Sequence, residues 1–153
     1  MRIKIGAAAP HFKLKDQDGN EFDSHQCIGK QPLVLFFYPN DHTPGCTAEV
    51  CSFRDHYEDF EAHGAKVIGV SSDSEKSHHK FSKRHRLPFL LLSDPSNTVH
   101  RLYNVSRQLF GLISKRITFI INAEGIIIEI HDSFMATSHI KQSLNALKLK
   151  KNN

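Results

Sequence analysis

Two cysteines five positions apart, Cys46 and Cys51, stand in the segment Tyr38 to Arg54, where an apolar run gives way to helical spacing. Thr43 suits the N-cap of that helix, and Pro44 suits its first position, where an N–H would have no intrahelical partner in any case. Cys46 then falls in the first turn. Free amide N–H groups and the positive end of the helix dipole favour a thiolate there, and the thiolate is the reactive form. The chemistry this arrangement predicts is nucleophilic or redox. An unpaired helical cysteine is ordinarily a small buried hydrophobe, and only context separates Cys46 from that class. Cys27, ahead of Ile28-Gly29-Lys30 with neither a cap nor a cationic pattern around it, reads as structural or incidental.

Winding the helix at ~100° per residue places Cys46, Val50, Phe53, Tyr57 and Phe60 in one stripe roughly 80° wide, so Cys46 looks inward at the edge of a core. Cys51 lies about 140° round from Cys46, with an ideal Cα separation of roughly 8.7 Å. A disulfide needs less than about 7 Å. A bond between these two sulfurs therefore requires the first turns to unwind, with Gly45 as a flexible point beside them.

The elements that position this segment follow from hydrophobic spacing. Phe12 to Leu14 and Glu21 to Phe22 flank Asp18-Gly19, a dipeptide suited to a tight hairpin. Leu33 to Tyr38 has no alternation, as a strand buried on both faces requires, and Pro39 stops it. Lys66 to Ser71 repeats that character, and the helical pattern from Pro44 to His63, closed by Gly64, completes a βαβ unit. Ser74 caps a second helix reaching His85; Leu90 to Leu92 forms a short strand and Asn97 to Tyr103 a short helix before a polar loop. Ile117 to Ile121 and Ile126 to Ile130 flank Asn122-Ala123-Glu124-Gly125 as an antiparallel hairpin, and an amphipathic helix, Ile140 to Leu149, closes the chain. The predicted fold class is α/β, thioredoxin-like: a central mixed sheet flanked by helices, with an N-terminal hairpin. The 153 residues fit one domain, 1–153, with 148–153 read as a frayed tail.

Bulk properties exclude several function classes. No run approaches the ~18 apolar residues of a membrane span, and the opening MRIKIGAAAP lacks the sustained apolar stretch of a secretory signal. The expectation is a cytoplasmic protein. Three cysteines cannot all pair within the chain, and a domain of this size folds without bridges. A net charge of +4 is spread along the chain. Its densest patches, Lys80 to Arg86 and Lys148 to Lys151, lack the interleaved aromatics or fold motif of a nucleic-acid site and read as solvated.

The pattern Pro39-x-x-x-Thr43-x-x-Cys46 resembles the active-site signature of the peroxiredoxins. The longer string TPGCTAEVCSFRD, Thr43 to Asp55, is similar to their Q-type or bacterioferritin-comigratory branch. The likeness continues through Ser71-Ser72-Asp73-Ser74, Leu87-Pro88-Phe89 with Leu91-Leu92-Ser93-Asp94, and Arg116-Ile117-Thr118-Phe119. This resemblance implies a thiol peroxidase for hydrogen peroxide and organic hydroperoxides, acting in antioxidant defence. It implies that Cys46 is the peroxidatic cysteine, passing through a sulfenic acid, and that Cys51 is the resolving cysteine, giving an intramolecular disulfide reduced by thioredoxin or a glutaredoxin-like donor. By the same resemblance the Thr43 hydroxyl bonds the peroxide, and Arg116 stabilises the thiolate and the departing oxygen. Pro39 shields the thiolate from water, and Glu49 holds polar groups in place. A monomer is implied, with no cofactor and no metal.

Two positions depart from the branch. Ser114-Lys115 precede Arg116 where many relatives carry Pro and Gly, adding a positive charge. His42 precedes Thr43, where it reads as an exposed loop histidine that could also make the local field pH dependent. A non-enzymatic redox sensor would use the same cysteines, and two rival functions fit less well. A thioredoxin-like disulfide reductase calls for Cys-x-x-Cys and a proline at the position of Ile117. A metal-binding protein is suggested by 11 histidines and the pair His78-His79, but no His or Cys set has zinc-site spacing, and neighbouring helical histidines point apart.

Overall fold

Five consecutive side chains of Leu33–Phe37 are buried, and that run forms a strand with neighbours on both sides. The computed structural model describes residues 3–105, 107–108 and 113–152. Along the chain these form β1 (Lys13–Asp16), β2 (Glu21–Asp23), β3 (Leu33–Phe37), α1 (Pro44–Asp55), α2 (Tyr57–Ala62), β4 (Lys66–Ser71), α3 (Glu75–His85), β5 (Leu90–Ser93), α4 (Thr98–Leu102), β6 (Arg107–Gln108), β7 (Ile113–Ser114), β8 (Ile117–Ile121), β9 (Ile127–Asp132) and α5 (Ser138–Asn152). A mixed seven-stranded sheet runs β2-β1-β5-β4-β3-β8-β9, and β6 pairs with β7 separately. Strands β3, β4 and β5 are parallel neighbours, as a βαβ crossover demands; β8 and β9 close the other side antiparallel. Among the described residues no helix is long and apolar enough to cross a membrane.

Alternation along the strands sorts side chains into two cores. Leu33, Leu35, Phe37, Ile68, Val70, Phe119 and Ile121 pack with Phe12, Phe22, Val99 and Tyr103 on one face. Val34, Phe36, Val67, Leu91 and Ile120 meet Cys46, Val50 and Phe53 of α1, Phe60 of α2, Phe81 of α3 and Ile140 of α5 on the other. The predicted inward stripe of the helix is thus present. Cys46, Val50, Phe53 and Phe60 are buried and Tyr57 is half-buried.

The single helix expected from Pro44 to His63 is two. At His56 the backbone leaves helical geometry (φ −105, ψ 13), and its ring Nδ1 contacts the Ser52 carbonyl oxygen at 2.9 Å, competing for the acceptor of its own backbone N–H. Other boundaries shift by a few residues. Strand β9 starts at Ile127 because Ile126 bridges to Ala8, and α5 continues to Asn152, past the expected end at Leu149. Ser74 caps α3 as expected, accepting from Ser77 N at 3.1 Å.

Gly69 of β4 makes the close packing of this second core possible. A Cβ there would lie 2.6 Å from Phe36 Cζ and 2.9 Å from Leu91 Cδ2. The Phe36 ring occupies that space and stacks on Phe53 of α1 with centroids 4.5 Å apart. Gly69→Ala is expected to destabilise the fold by about 1–3 kcal/mol through overpacking. A urea melt checks it: the midpoint falls and the slope is unchanged.

Candidate active site

Strand β3 delivers the chain to Pro39 and Asn40, and a buried polar cluster fixes the turn that follows. The Tyr38 hydroxyl donates to Asp41 Oδ1 at 2.7 Å, Ser77 Oγ donates to Asp41 Oδ2 at 2.8 Å, and His78 Nδ1 lies 2.7 Å from the same oxygen. The Asp41 N–H donates to Asp73 Oδ2 at 2.8 Å, tying the loop to the end of β4. His78 Nε2 faces the Leu92 carbonyl oxygen at 3.0 Å, so it is a protonated donor. Burial and the neighbouring Asp41 carboxylate push the Tyr38 phenol well above its ordinary range. Asp41, Asp73 and His78 bring their ligand atoms within 4.8 Å of one another, a juxtaposition the spacing of metal motifs does not reveal. Both Asp41 oxygens, Asp73 Oδ2 and both His78 ring nitrogens are engaged in hydrogen bonds, which is the pattern of a structural clamp. His79 is exposed, pointing away from its buried neighbour His78.

The clamp sets the start of α1. Thr43 occupies the N-cap with extended backbone (φ −87, ψ 151), as expected, yet its side chain makes no capping bond. Its hydroxyl donates instead to the Asn40 carbonyl at 3.0 Å, which leaves the first-turn N–H groups uncapped by that side chain. Cys46 follows in that first turn, 1 % exposed, beneath the exposed Pro44 and Gly45. Pro39 is half-buried at the entrance to this turn.

From the facing edge, Arg116 precedes β8 and is only 6 % exposed, in contrast to a solvated charge at a strand end. Its Nη2 donates to Cys46 Sγ at 3.5 Å and its Nη1 to Glu49 Oε1 at 2.6 Å. Burial works against the guanidinium charge, but Glu49 and Cys46 together raise the Arg116 pKa above its ordinary value. Gly45, expected to be a hinge, has a packing role as well: a Cβ there would stand 3.1 Å from Arg116 Nη2. Lys115, the extra charge next to Arg116, pairs with Asp132 at 3.3 Å.

Glu49 is fully buried, and burial pushes its carboxyl up to about 8 even though Arg116 pulls the other way. Its Oε2 has no hydrogen-bond partner among the described residues. His139 Nδ1 lies 3.8 Å from it, on α5. His139 accepts from the Thr118 hydroxyl at 2.7 Å through Nδ1 and donates to the Ser133 carbonyl at 2.7 Å through Nε2, an arrangement that needs the neutral ring. Burial, opposed in part by the Ser133 bond, depresses its pKa to about 4. Sequence spacing gave no sign of His139, because it lies in the first turn of the last helix, over 90 residues from Cys46.

All three cysteines are reduced. Cys51 is half-buried on the same intact helix as Cys46, with its Sγ 3.7 Å from His85 Nδ1 on α3. Cys27 is wholly buried, and burial raises its thiol pKa, in keeping with a structural role. His42 is exposed with φ 62, its ring edge-on to Phe81 at 5.0 Å.

The model of the AhpC/TSA family matches residues 5–130. A chloroplastic peroxiredoxin Q of Populus jackii is 42% identical over 148 residues, 96% of this chain and 69% of that protein. The chain belongs to the peroxiredoxins, in their Q-type branch. Solved structures agree: peroxidoxin BcpB from Mycobacterium tuberculosis superposes with a TM-score of 0.90 at 34% identity, covering 97% of this chain and 98% of that one. A mutant of peroxiredoxin Q from Xylella fastidiosa gives 0.90 at 30% identity, covering 99% of both. The bacterioferritin comigratory protein of Xanthomonas campestris, described for its alkyl peroxide reduction activity, gives 0.85 at 31% identity over 97% of both. The fold is the thioredoxin-like peroxiredoxin fold, and the protein is a thiol-dependent peroxidase.

Within this peroxiredoxin the titration of Glu49 has a stability signature. Its folded pKa, about 8, exceeds the ordinary 4.5, so the native state binds more protons than the unfolded chain between those values and stability falls as pH rises through them. His139, depressed from 6.5 to about 4, acts oppositely, and its contribution is lost as pH falls between those limits. From pH 6.5 to 8 only Glu49 of the two contributes. Chemical denaturation across that range is expected to show declining stability in the native chain and a flatter profile in Glu49→Gln.

Proposed function

We propose that Cys46 is the peroxidatic cysteine and Cys51 the resolving cysteine of an intramolecular cycle. The observation that carries the first assignment is the Arg116 guanidinium 3.5 Å from a Cys46 sulfur in the first turn of α1. There the thiolate attacks the terminal peroxide oxygen. The O–O bond breaks, the sulfur becomes a sulfenic acid, and the departing oxygen leaves as an anion that takes up a proton. Arg116 and the uncapped first-turn N–H groups can stabilise charge on that oxygen as it develops. Thr43, placed beside Cys46 with a hydroxyl that rotates, orients the peroxide, and Pro39 limits water at the entrance. Glu49 acts by fixing Arg116 rather than by reacting.

Cys51 then attacks the Cys46 sulfenic sulfur, forming the disulfide and releasing water. Both sulfurs lie on one helix, so the cycle closes within a single chain and a monomer suffices. Intact α1 holds the two apart, and turnover alternates between a wound helix that binds peroxide and an unwound one that presents the disulfide. A dithiol donor of the thioredoxin or glutaredoxin kind restores the thiols. Hydrogen peroxide and organic hydroperoxides both fit as substrates; the alkyl peroxide activity of the Xanthomonas relative supports the second.

Peroxide consumption with thioredoxin and its reductase tests the assignments. Cys46→Ser is expected to be inactive, whereas Cys51→Ser consumes about one equivalent and then stalls or needs a small thiol. Full turnover in Cys46→Ser would overturn the mechanism.

A further inference from the structure

Cys51 is half-buried at a helix interface. Its sulfur lies 3.7 Å from His85 Nδ1, and the two residues come from different helices, the middle of α1 and the end of α3. The contact is braced. Arg54, three residues beyond Cys51, donates through Nη1 to the His85 carbonyl at 2.8 Å, which pins the last turn of α3 against α1. The His85 ring stands edge-on to Phe81 with centroids 5.1 Å apart, and Phe81 is fully buried. The imidazole is therefore held in place on one side by an aromatic ring, and its Nδ1 faces a thiol.

We propose that His85 is the general base of the resolving step, taking the proton from the Cys51 thiol so that a thiolate leaves α3 when α1 unwinds. This rests on the reading of Cys51 as the resolving cysteine. The balance is simple. Neutral His85 accepts the Cys51 proton. The thiolate pair attacks the sulfenic sulfur of Cys46, the S–S bond forms and the S–O bond breaks. The hydroxide that departs takes up a proton from solvent and leaves as water, and the imidazolium returns its proton to solvent, so His85 ends neutral. No oxidant or reductant beyond the peroxide is needed.

The charges around His85 favour the neutral ring this role requires. Burial lowers its pKa, followed by Arg84 on its own helix, Arg54 on α1 and His42 in the loop before α1. A neutral imidazole at pH 7 is a base ready to act, and once Cys51 is ionised, the imidazolium and Arg54 both face the anion. General-base catalysis of this type is worth about 10²–10⁴-fold at most sites. A free thiol is already a few per cent ionised at neutral pH, so the gain here is nearer tenfold.

The test separates the two chemical steps in the full-length native chain and in His85→Gln. Oxidation of Cys46 is followed by competition with a haem peroxidase for hydrogen peroxide. Closure of the disulfide is followed by rapid acid quench and mass analysis of the Cys46–Cys51 peptide. His85→Gln is expected to slow closure about tenfold at pH 7 while Cys46 is oxidised at the native rate. Closure in the native chain should level off near neutrality, whereas in the variant it keeps rising into the range where free thiols ionise, about pH 8.5. Added imidazole should restore part of the lost rate. Native-rate closure in His85→Gln, or a slowing with unchanged pH profile and no imidazole rescue, overturns the assignment of His85. Absence of any Cys46–Cys51 disulfide in the native chain instead overturns the assignment of Cys51, and the proposal with it.

Discussion

One positive charge faces two acids in a volume that water hardly enters. Arg116 contacts both Cys46 Sγ and Glu49, and all three side chains are buried. At an effective dielectric constant of about 20, a pair of unit charges 4 Å apart is worth about 4 kcal/mol, while burying an ion costs several kcal/mol. A single guanidinium can offset one anion at that exchange. A second anion beside the first would meet a comparable desolvation cost plus mutual repulsion, so the thiolate and the Glu49 carboxylate compete for the same charge. The surroundings decide that competition. Glu49 Oε2 has no hydrogen bond among the described residues, and burial raises the carboxyl to about 8. His139, 3.8 Å from Glu49 Oε2, supplies no second cation, being locked neutral between the Thr118 hydroxyl and the Ser133 carbonyl. A protonated Glu49 still accepts from Arg116 and orients it, but leaves its charge to the sulfur.

The same helix must be rigid in one half of the proposed cycle and labile in the other. Its N-terminal approach is the rigid part. Asp41 is held by Tyr38, Ser77, His78 and Asp73 together, so displacing the loop would break several buried hydrogen bonds at once. Between Cys46 and Cys51 the resistance is smaller. Val50 is the one buried apolar residue there besides Cys46, and exposing it costs about 1.5–3 kcal/mol. Phe53 lies beyond Cys51 and is stacked on Phe36, so it resists unwinding past that point. In the proposed cycle, motion would thereby be concentrated between His42 and Phe53, the stretch that carries both cysteines.

Much of this was readable in the residue order, and the limits of that reading have physical causes. Buried strands such as Leu33–Phe37 and Lys66–Ser71 announce themselves by unbroken apolar runs, and Ser74 by its capping chemistry. The break at His56 was invisible because it follows from a ring nitrogen competing for a carbonyl, which periodicity does not encode. Glu49 fell outside the apolar stripe for the same reason that it matters: a buried carboxyl has no hydrophobic signature. Its neighbours Arg116 and His139 come from the residue just before β8 and from α5, and the antiparallel pairing of β8 against β3 and the packing of α5 on β8 and α1 bring them beside Glu49. The peroxiredoxin signature marked Cys46, Thr43 and Arg116, but no spacing rule reaches from Cys51 to His85, 34 residues on and across a helix interface.

Charge competition and unwinding are linked through Glu49. The residue sits between Cys46 and Cys51, so any unwinding that brings the sulfurs together also removes Glu49 from Arg116 and from the core. Once in water its carboxyl returns to the ordinary range near 4.5, and the proton held at about 8 in the wound helix is released. The wound form binds the extra proton; rising pH between those limits therefore favours the unwound form, by the same linkage that governs stability. In the proposed cycle a proton kept on Glu49 would do two things at once. It would leave the Arg116 charge to the thiolate while peroxide is bound, and it would add to the free energy that holds α1 wound until the sulfenic acid has formed and the disulfide can repay the unwinding.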